Sequence, residues 1–390
     1  MDKTVYLINA NLITMEEKNY ENGYIVINSG KIKDIGDMAQ IGDIPKDAEI
    51  IDAEGNYVTP GLVDAHTHIG MWEDGIDFEG ADGNEDTDPT MPQLRAIDGV
   101  NPQDRAFKEA LSAGITSVVT GPGSANPIGG QLLAMKTFGV CVDDMVISDK
   151  IGIKAAFGEN PKGAYNEKDE TPTTRMGTAA IIREALFKAR EYMADVDKYN
   201  LNPEEESKPD FEFKCDALLP VLRGKQPLYA HAHRLDDIFT AIRICREFNI
   251  RLVLVHGTEA HLAPERIVKE NIPILSGPIL NDRSKPELKN QEEYTPAVLT
   301  EHKIKTALIT DHPETPEKFL TICAATAVRE GMDADEALRA ITIVPAEICG
   351  IDDRVGSLKI GKDGDVVIWQ GDPTEFNAKP KVVICDGEII

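Results

Sequence analysis

Two histidines one residue apart, His66 and His68 in Val58-Thr-Pro-Gly-Leu-Val-Asp-Ala-His-Thr-His-Ile-Gly70, are the first residues whose types and spacing suggest chemistry. The apolar run before them reads as a buried strand, and side chains two apart on a strand point the same way. His-x-His at a strand end therefore aims two imidazoles into one space, and neutral imidazole is the commonest metal ligand. Taken alone, the motif fits a half-buried pair in a turn equally well. The other histidines tip the balance. Among the 8 histidines of the chain, His66, His68, His231, His233 and His256 all sit at or just after the ends of short apolar runs. His312 follows Asp311 after Ala307-Leu-Ile-Thr310. A chance scatter would put histidines on helices and loops as often as at strand ends. Their concentration implies a metal site assembled from several strands.

The elements that must carry these residues alternate along the middle of the chain. Strands are expected at Ile115–Thr120, Gln131–Thr137, Ile151–Ala156, Leu228–Ala230, Arg251–Val255, Ile272–Leu275 and Ala307–Thr310, besides the one ending at His66. Helical spacing separates them at Pro102–Ser112, Thr178–Met193, Asp236–Phe248, Leu262–Glu270, Thr315–Glu330 and Ala334–Ile341. About eight strands with intervening helices fit a parallel (β/α)8 barrel, whose chemistry sits at the C-terminal strand ends. The two ends of the chain differ in texture. Thr4–Ile8, Tyr24–Asn28, Lys31–Ile35, Asp363–Trp369 and Pro380–Ile389 are short β-rich runs with tight turns. Neither end is long enough to bury a core alone, so residues 1–58 and 350–390 are expected to pair into one small β-sandwich, with 59–349 forming the barrel. The acidic stretch Trp72–Asp88 would lie over the barrel mouth, as a lid or as a solvated loop. Tyr199–Pro209 reads as a surface insertion.

At 390 residues, 42% of them hydrophobic, the chain has ample core for this plan. Its net charge is −26, with 67 acidic against 41 basic residues, which argues against nucleic acid or an anionic membrane as partner. The 6 cysteines are scattered without a CxxC pair and read as reduced core residues of a cytoplasmic protein. No secretory leader and no membrane-spanning run is evident. Arg175, with Arg234, Arg283 and Lys285 as weaker candidates, is expected either to bind a substrate carboxylate or, equally, to form a salt bridge within the loop. Gly121-Pro-Gly-Ser124 reads as a tight turn.

The chain resembles the amidohydrolase superfamily, in its imidazolonepropionase-related and prolidase-like branch. Pro60-Gly-Leu-Val-Asp-Ala-His-Thr-His68 is similar to the family's first-strand signature, and Val355-Gly-Ser-Leu-Lys-Ile-Gly-Lys-Asp-Gly-Asp-Val-Val-Ile368 to its C-terminal one, which usually has Ala where this chain has Gly364. The resemblance implies a metal-dependent barrel with His66, His68, His256 and Asp311 as ligands. On strand five it favours His231, leaving His233 as an alternative ligand or a substrate contact. The bridging ligand is either Lys154, in Gly152-Ile-Lys-Ala-Ala156, carboxylated by carbon dioxide, or Glu159 five residues on; Lys154 is favoured because it sits within the strand. Glu159 is otherwise a substrate contact. One or two divalent ions are implied, zinc first, with manganese, iron or nickel also suited to N/O ligands.

The expected function is hydrolysis of a C–N bond, amide or cyclic amide, in a small molecule. A bound divalent ion lowers the pKa of water from 15.7 to about 7, and Asp311 would serve as general acid and base. The alternative is a mononuclear deaminase or imidazolonepropionase-like ring opener, whose relatives place a glutamate three residues after the strand-five histidine. Here Arg234 follows His231 at that distance and Asp236 follows His233. A non-enzymatic scaffold is disfavoured by the full ligand set. A homo-oligomer is the default assembly.

Overall fold

The computed structural model describes residues 4–73 and 76–390, so Asp74 of the acidic stretch and the first three residues of the N-terminal reading lie outside the described residues. Both ends of the chain build one eight-stranded sheet. Thr4–Leu12 lies at its centre, hydrogen-bonded to Tyr20–Asn28 on one side and to Glu49–Asp52 and Tyr57–Pro60 on the other. The C-terminal Val366–Gln370 then pairs antiparallel with Tyr57–Pro60, Val58 opposite Ile368. Tight two-residue turns shape the edges: Ser29 and Gly30 have φ of 51° and 70°, Asp386 and Gly387 49° and 82°. Those are the left-handed conformations that match the twist of hairpin strands. Alternating side chains of these strands (Val5, Leu7, Ile25, Ile27, Val58, Ile368) form one apolar cluster. The expected boundary at residue 58 falls inside a strand of this sheet.

Between the ends, strands alternate with helices, as the apolar periodicity predicts. Ile153–Ala156, Leu228–Ala232, Leu252–His256, Ile274–Ser276 and Thr306–Leu308 pair in succession, all parallel. They are buried along their whole length, which is why they read as continuous apolar runs rather than alternating ones. Leu62–Thr67 and Ile115–Thr120 form a second parallel pair in a separate four-stranded sheet. Backbone hydrogen bonds pass between the two sheets at both margins. His68 N donates to His312 O at 2.9 Å and Asp311 N to His66 O at 3.2 Å; on the other side Leu132 N donates to Gly152 O at 3.0 Å. The expected strand Gln131–Thr137 divides at Leu132 into Ile128–Gln131 and Leu133–Lys136, one in each sheet.

Helices cover the strands with their apolar faces. Leu235–Phe248 buries Ile238, Ala241, Ile242, Cys245 and Phe248 and ends on Asn249, left-handed at φ 54°. Arg105–Ser112 is capped by Asp104, which accepts from Ala106 N at 3.0 Å. Three helical expectations need correction, and one helix was not expected. The Thr178–Met193 helix runs from Arg175 to Leu201, capped by Thr174, and absorbs part of the supposed surface insertion. Leu262–Glu270 is instead three short turns, Ala260–Leu262, Pro264–Ile267 and Val268–Glu270, because Pro264 lacks the N–H that would continue a helix. Thr315–Glu330 starts as an α-helix only at Leu320, after Pro316. Phe213–Leu222 is a helix that Pro220 disguised in the sequence. Of the cysteines, all free, Cys141 is exposed and Cys215 half-buried, so only four are core residues. No described helix is long and apolar enough to cross a membrane.

Candidate metal centre

Six histidine and aspartate side chains converge at the C-terminal ends of the parallel strands. His66, His68 and Asp311 offer ligand atoms within 4.8 Å of one another, and so do His231, His233 and His256. The two trios adjoin: the His66 and His256 rings are 5.9 Å apart, those of His231 and His256 4.5 Å. His66 closes the Leu62–Thr67 strand and His256 the Leu252–His256 strand, while His231 lies in Leu228–Ala232. His256 (φ 72°) and Asp311 (φ 53°) hold left-handed backbone conformations, which non-glycine residues avoid outside constrained, often functional, positions.

The turn carrying His66 is fixed from below by Asp64. Its Oδ1 accepts from His66 N at 3.0 Å, and its Oδ2 from Thr310 N at 2.8 Å and Thr310 Oγ1 at 2.7 Å. One buried carboxylate thus locks the His66 strand to the residue before Asp311. Burial pushes the Asp64 carboxyl up to about 6, against those hydrogen bonds. Glu317 accepts from Thr67 Oγ1 at 2.6 Å and is raised well above the usual range by burial and then by Asp64.

The ring nitrogens test whether a cation belongs here. His68 Nδ1 lies 2.7 Å from Gly121 O and His256 Nδ1 2.7 Å from Gly277 O. A carbonyl only accepts, so both rings carry their proton on Nδ1 and turn an Nε2 lone pair inward. Asp311 Oδ1, buried and without a hydrogen bond, lies 3.3 Å from both His66 Nε2 and His68 Nε2. Lone pairs facing a carboxylate oxygen at this distance repel unless a cation stands among them. Burial lowers His66, His231 and His233 well below the usual imidazole value and His256 to about 4, keeping the rings neutral. Burial opposes ionisation of Asp311, but His256 and the contacts to His66 and His68 outweigh it and hold the carboxyl well below its usual range. Neutral imidazoles around one carboxylate suit a divalent ion.

Lys154 lies between the trios, fully buried, with Nζ 3.4 Å from His66 Nε2 and 3.1 Å from Ser124 Oγ. Burial lowers its amine to about 8. Glu159, its rival, lies outside both trios. Gly158, at φ 86°, turns the chain away after the strand, and Glu159 opens the helix Glu159–Asn166 with its Oε2 accepting from Glu287 N at 3.2 Å. It does not line the cavity over the histidines; its neighbour Asn160 does. Arg175 takes the salt-bridge alternative rather than the substrate one. Its Nε donates to both carboxylate oxygens of buried Asp237, at 3.1 and 2.9 Å, which leaves it facing the scaffold rather than a ligand. Arg234 pairs with Asp236, and Arg283 with Gln291 O and Glu292.

The cavity is about 430 Å³, the size of small-molecule sites. His68, His231, His233 and Asp311 form its floor, with Trp72, Asn84, Asn160, Lys285 and Gln291 around it. Trp72 and Asn84 come from the stretch after the first strand. Two groups near the ligands, half-buried Ser124 and buried Glu287, escaped sequence reasoning. Ser124 was read as part of a tight turn, yet its Oγ is 3.0 Å from His231 Nδ1. Glu287 Oε1 stands 3.9 and 3.8 Å from the Nε2 atoms of His231 and His233. A lone serine or glutamate in a loop carries no periodic signal.

The Amidohydrolase family profile matches residues 224–390, the part holding His231, His256 and Asp311. Amidohydrolase tasK of Hapsidospora irregularis is 28% identical over 391 residues, which cover 94% of this chain but 39% of tasK. The chain therefore spans well under half the length of that curated relative. A putative prolidase of known structure from Bifidobacterium longum is 16% identical with a TM-score of 0.60, over 100% of this chain and 94% of its own, a likeness of fold alone. An amidohydrolase of known structure from Thermotoga maritima MSB8 is 41% identical and covers 99% of both chains, with a TM-score of 0.93. With that likeness running end to end, and the strand-end histidines gathered as described, the chain belongs to the amidohydrolase family.

Proposed function

We propose that the chain is a metal-dependent hydrolase that cleaves a C–N bond, amide or cyclic amide, in a small molecule. The observation that carries this reading is the meeting of His66, His68 and Asp311 with His231 and His256 around one buried space, the Nε2 lone pairs of His68 and His256 turned inward. In this reading the strands close into a (β/α)8 barrel (residues 59–349), and the two ends (1–58 and 350–390) fold together beside it. His66, His68 and Asp311 would hold one divalent ion, with His231 and His256 holding a second; zinc is the first choice.

When bound, such an ion supplies Lewis acidity, lowering the pKa of water to about 7 and polarising a carbonyl. The residues do the rest. Asp311 Oδ1 faces His66 and His68, leaving Oδ2 to take a proton from the attacking water and return it to the leaving nitrogen. His233, on the cavity floor, contacts the substrate. Lys154, with its amine brought down to about 8 by burial, reaches the neutral form more readily. Its nitrogen then bonds to the carbon of carbon dioxide and loses a proton, and the resulting carbamate is an anionic donor between the two histidine groups.

The mononuclear deaminase or ring-opening alternative is favoured less by the surroundings of strand five. It needs an acid beside strand five, and Asp236 instead pairs with Arg234 at 2.7 Å, its side chain 55% exposed.

The test is a turnover screen of zinc- and manganese-loaded protein against dipeptides, N-acyl amino acids and cyclic amides. At least one class is expected to turn over, and Asp311→Asn to lower kcat by roughly 10²–10⁴ at a much smaller cost in bound metal. Unchanged turnover in Asp311→Asn would sink the acid–base assignment.

A further inference from the structure

His68 and His256 have carbonyls to take their Nδ1 protons; His231 does not. Its Nδ1 faces Ser124 Oγ at 3.0 Å, and its Nε2 is buried without a hydrogen-bond partner. Ser124 Oγ also lies 3.1 Å from Lys154 Nζ. In the metal-free protein, before carbon dioxide adds, Lys154 is an ammonium and only donates, so the hydroxyl oxygen accepts from it and has its one proton left for His231 Nδ1. His231 is then the tautomer protonated on Nε2, with its Nδ1 lone pair turned toward Ser124 Oγ. That Nε2–H needs an acceptor. Glu287 Oε1 faces it at 3.9 Å, in a carboxylate whose side chain is 1% exposed. The same oxygen pairs with Lys285 Nζ at 3.0 Å but makes no bond of hydrogen-bond geometry, and Oε2 is occupied by Glu159 N at 2.9 Å.

We propose that Glu287 is the positioning carboxylate of His231: it accepts the Nε2 proton and so fixes Nδ1 as the electron-pair face offered to a metal ion. It stands 3.8 Å from His233 Nε2 as well, and so steadies both histidines of the Leu228–Ala232 strand and its end. Glu287 touches no reacting atom in this role. The assignment rests on the metal-centre reading above and adds to it the residue that sets the orientation of one ligand. Partners of this kind behind a ligating imidazole are worth about 10–100-fold in metal affinity.

Two measurements on the full chain test it. In metal-free protein labelled with ¹⁵N-histidine, long-range ¹H–¹⁵N correlations are expected to show His231 protonated on Nε2; protonation on Nδ1 overturns the proposal. The His231 signals are identified by their loss in His231→Gln. In chelator competition with cobalt(II), affinity is expected to fall in the order wild type, Glu287→Gln, Glu287→Ala, the last by about 10–100-fold. Thermal unfolding checks that the variants fold. A folded Glu287→Ala with wild-type affinity overturns the assignment, and if that variant fails to fold, the tautomer in the wild type decides. Wild-type protein that takes up no cobalt(II) overturns the metal-centre reading itself, which separates the two failures.

Discussion

Single atoms decide what the site can do. The Asp311 carboxyl is held well below its usual range in spite of burial by His256 and the contacts to His66 and His68, and Lys154 is a poor base because nothing anionic touches its nitrogen closely enough to offset desolvation. Gly364 shows the same sensitivity far from the site. A Cβ there would lie 2.6 Å from Ile27 Cγ2 and 3.3 Å from Gly387 N, where the Ser29-Gly30 and Asp386-Gly387 turns meet. Alanine, which the C-terminal signature usually carries, therefore does not fit this chain. Gly364→Ala is expected to destabilise by about 1–3 kcal/mol, read by urea denaturation; a variant as stable as wild type would mean the turns part without cost. At this scale the sequence was informative only where spacing carries geometry. His66 and His68 were legible because a strand has a period of two. Ser124, in a turn, and Glu287, in the single turn Pro286–Leu288, were not, because so short a segment has none, and the two readings of Arg175 could not be separated because its partner Asp237 lies 62 residues away.

Among the elements, the joint between the terminal sheet and the central strands is electrostatic. Lys136, on Leu133–Lys136 and 1% exposed, reaches Asp365 at 2.6 Å, Asp363 at 2.9 Å and Asp386 at 3.0 Å. Lys31 and Arg354 also pair with Asp363. The Gly-Lys-Asp-Gly-Asp part of the C-terminal signature is thus a clamp on a strand three away from the first site strand in the chain. Burial works to raise the Asp363 carboxyl, but Lys136 and the two other cations outweigh it and hold it below its usual range. Its contribution to stability is therefore present above the unfolded pKa and lost as the pH falls through the folded one. Lys136→Met leaves three carboxylates facing one another, and is expected to cost about 3–5 kcal/mol at pH 7. That deficit should shrink toward pH 4 as the carboxyls take up protons. Denaturant midpoints of both proteins across that range give the comparison, and a deficit independent of pH would mean that the lysine acts by packing alone. Most strands were legible here from buried apolar runs. The helices near prolines, with Pro220 inside one and Pro264 and Pro316 at the starts of others, were missed or drawn too long because local chemistry and tertiary packing pull in opposite directions there.

Over the whole molecule, the two ends of the chain meet in one sheet, and the strands between them bring six ligand-type residues together. The pairing of the ends was expected from their shared texture; the order of the eight strands in one sheet was not, since sheet connectivity depends on partners hundreds of residues apart, such as Val58 and Ile368. The acidic excess, 67 residues against 41, lies on a chain whose proposed site would gather positive charge, so the ions would be drawn in rather than repelled. The two-ion centre bridged by carboxylated Lys154 is the central claim, and elemental analysis of purified protein, prepared with bicarbonate and divalent metal, tests it most directly. Two ions per chain are expected in the wild type and fewer in Lys154→Ala, with both proteins folded. Two ions per chain in Lys154→Ala, or none in the wild type, would contradict it.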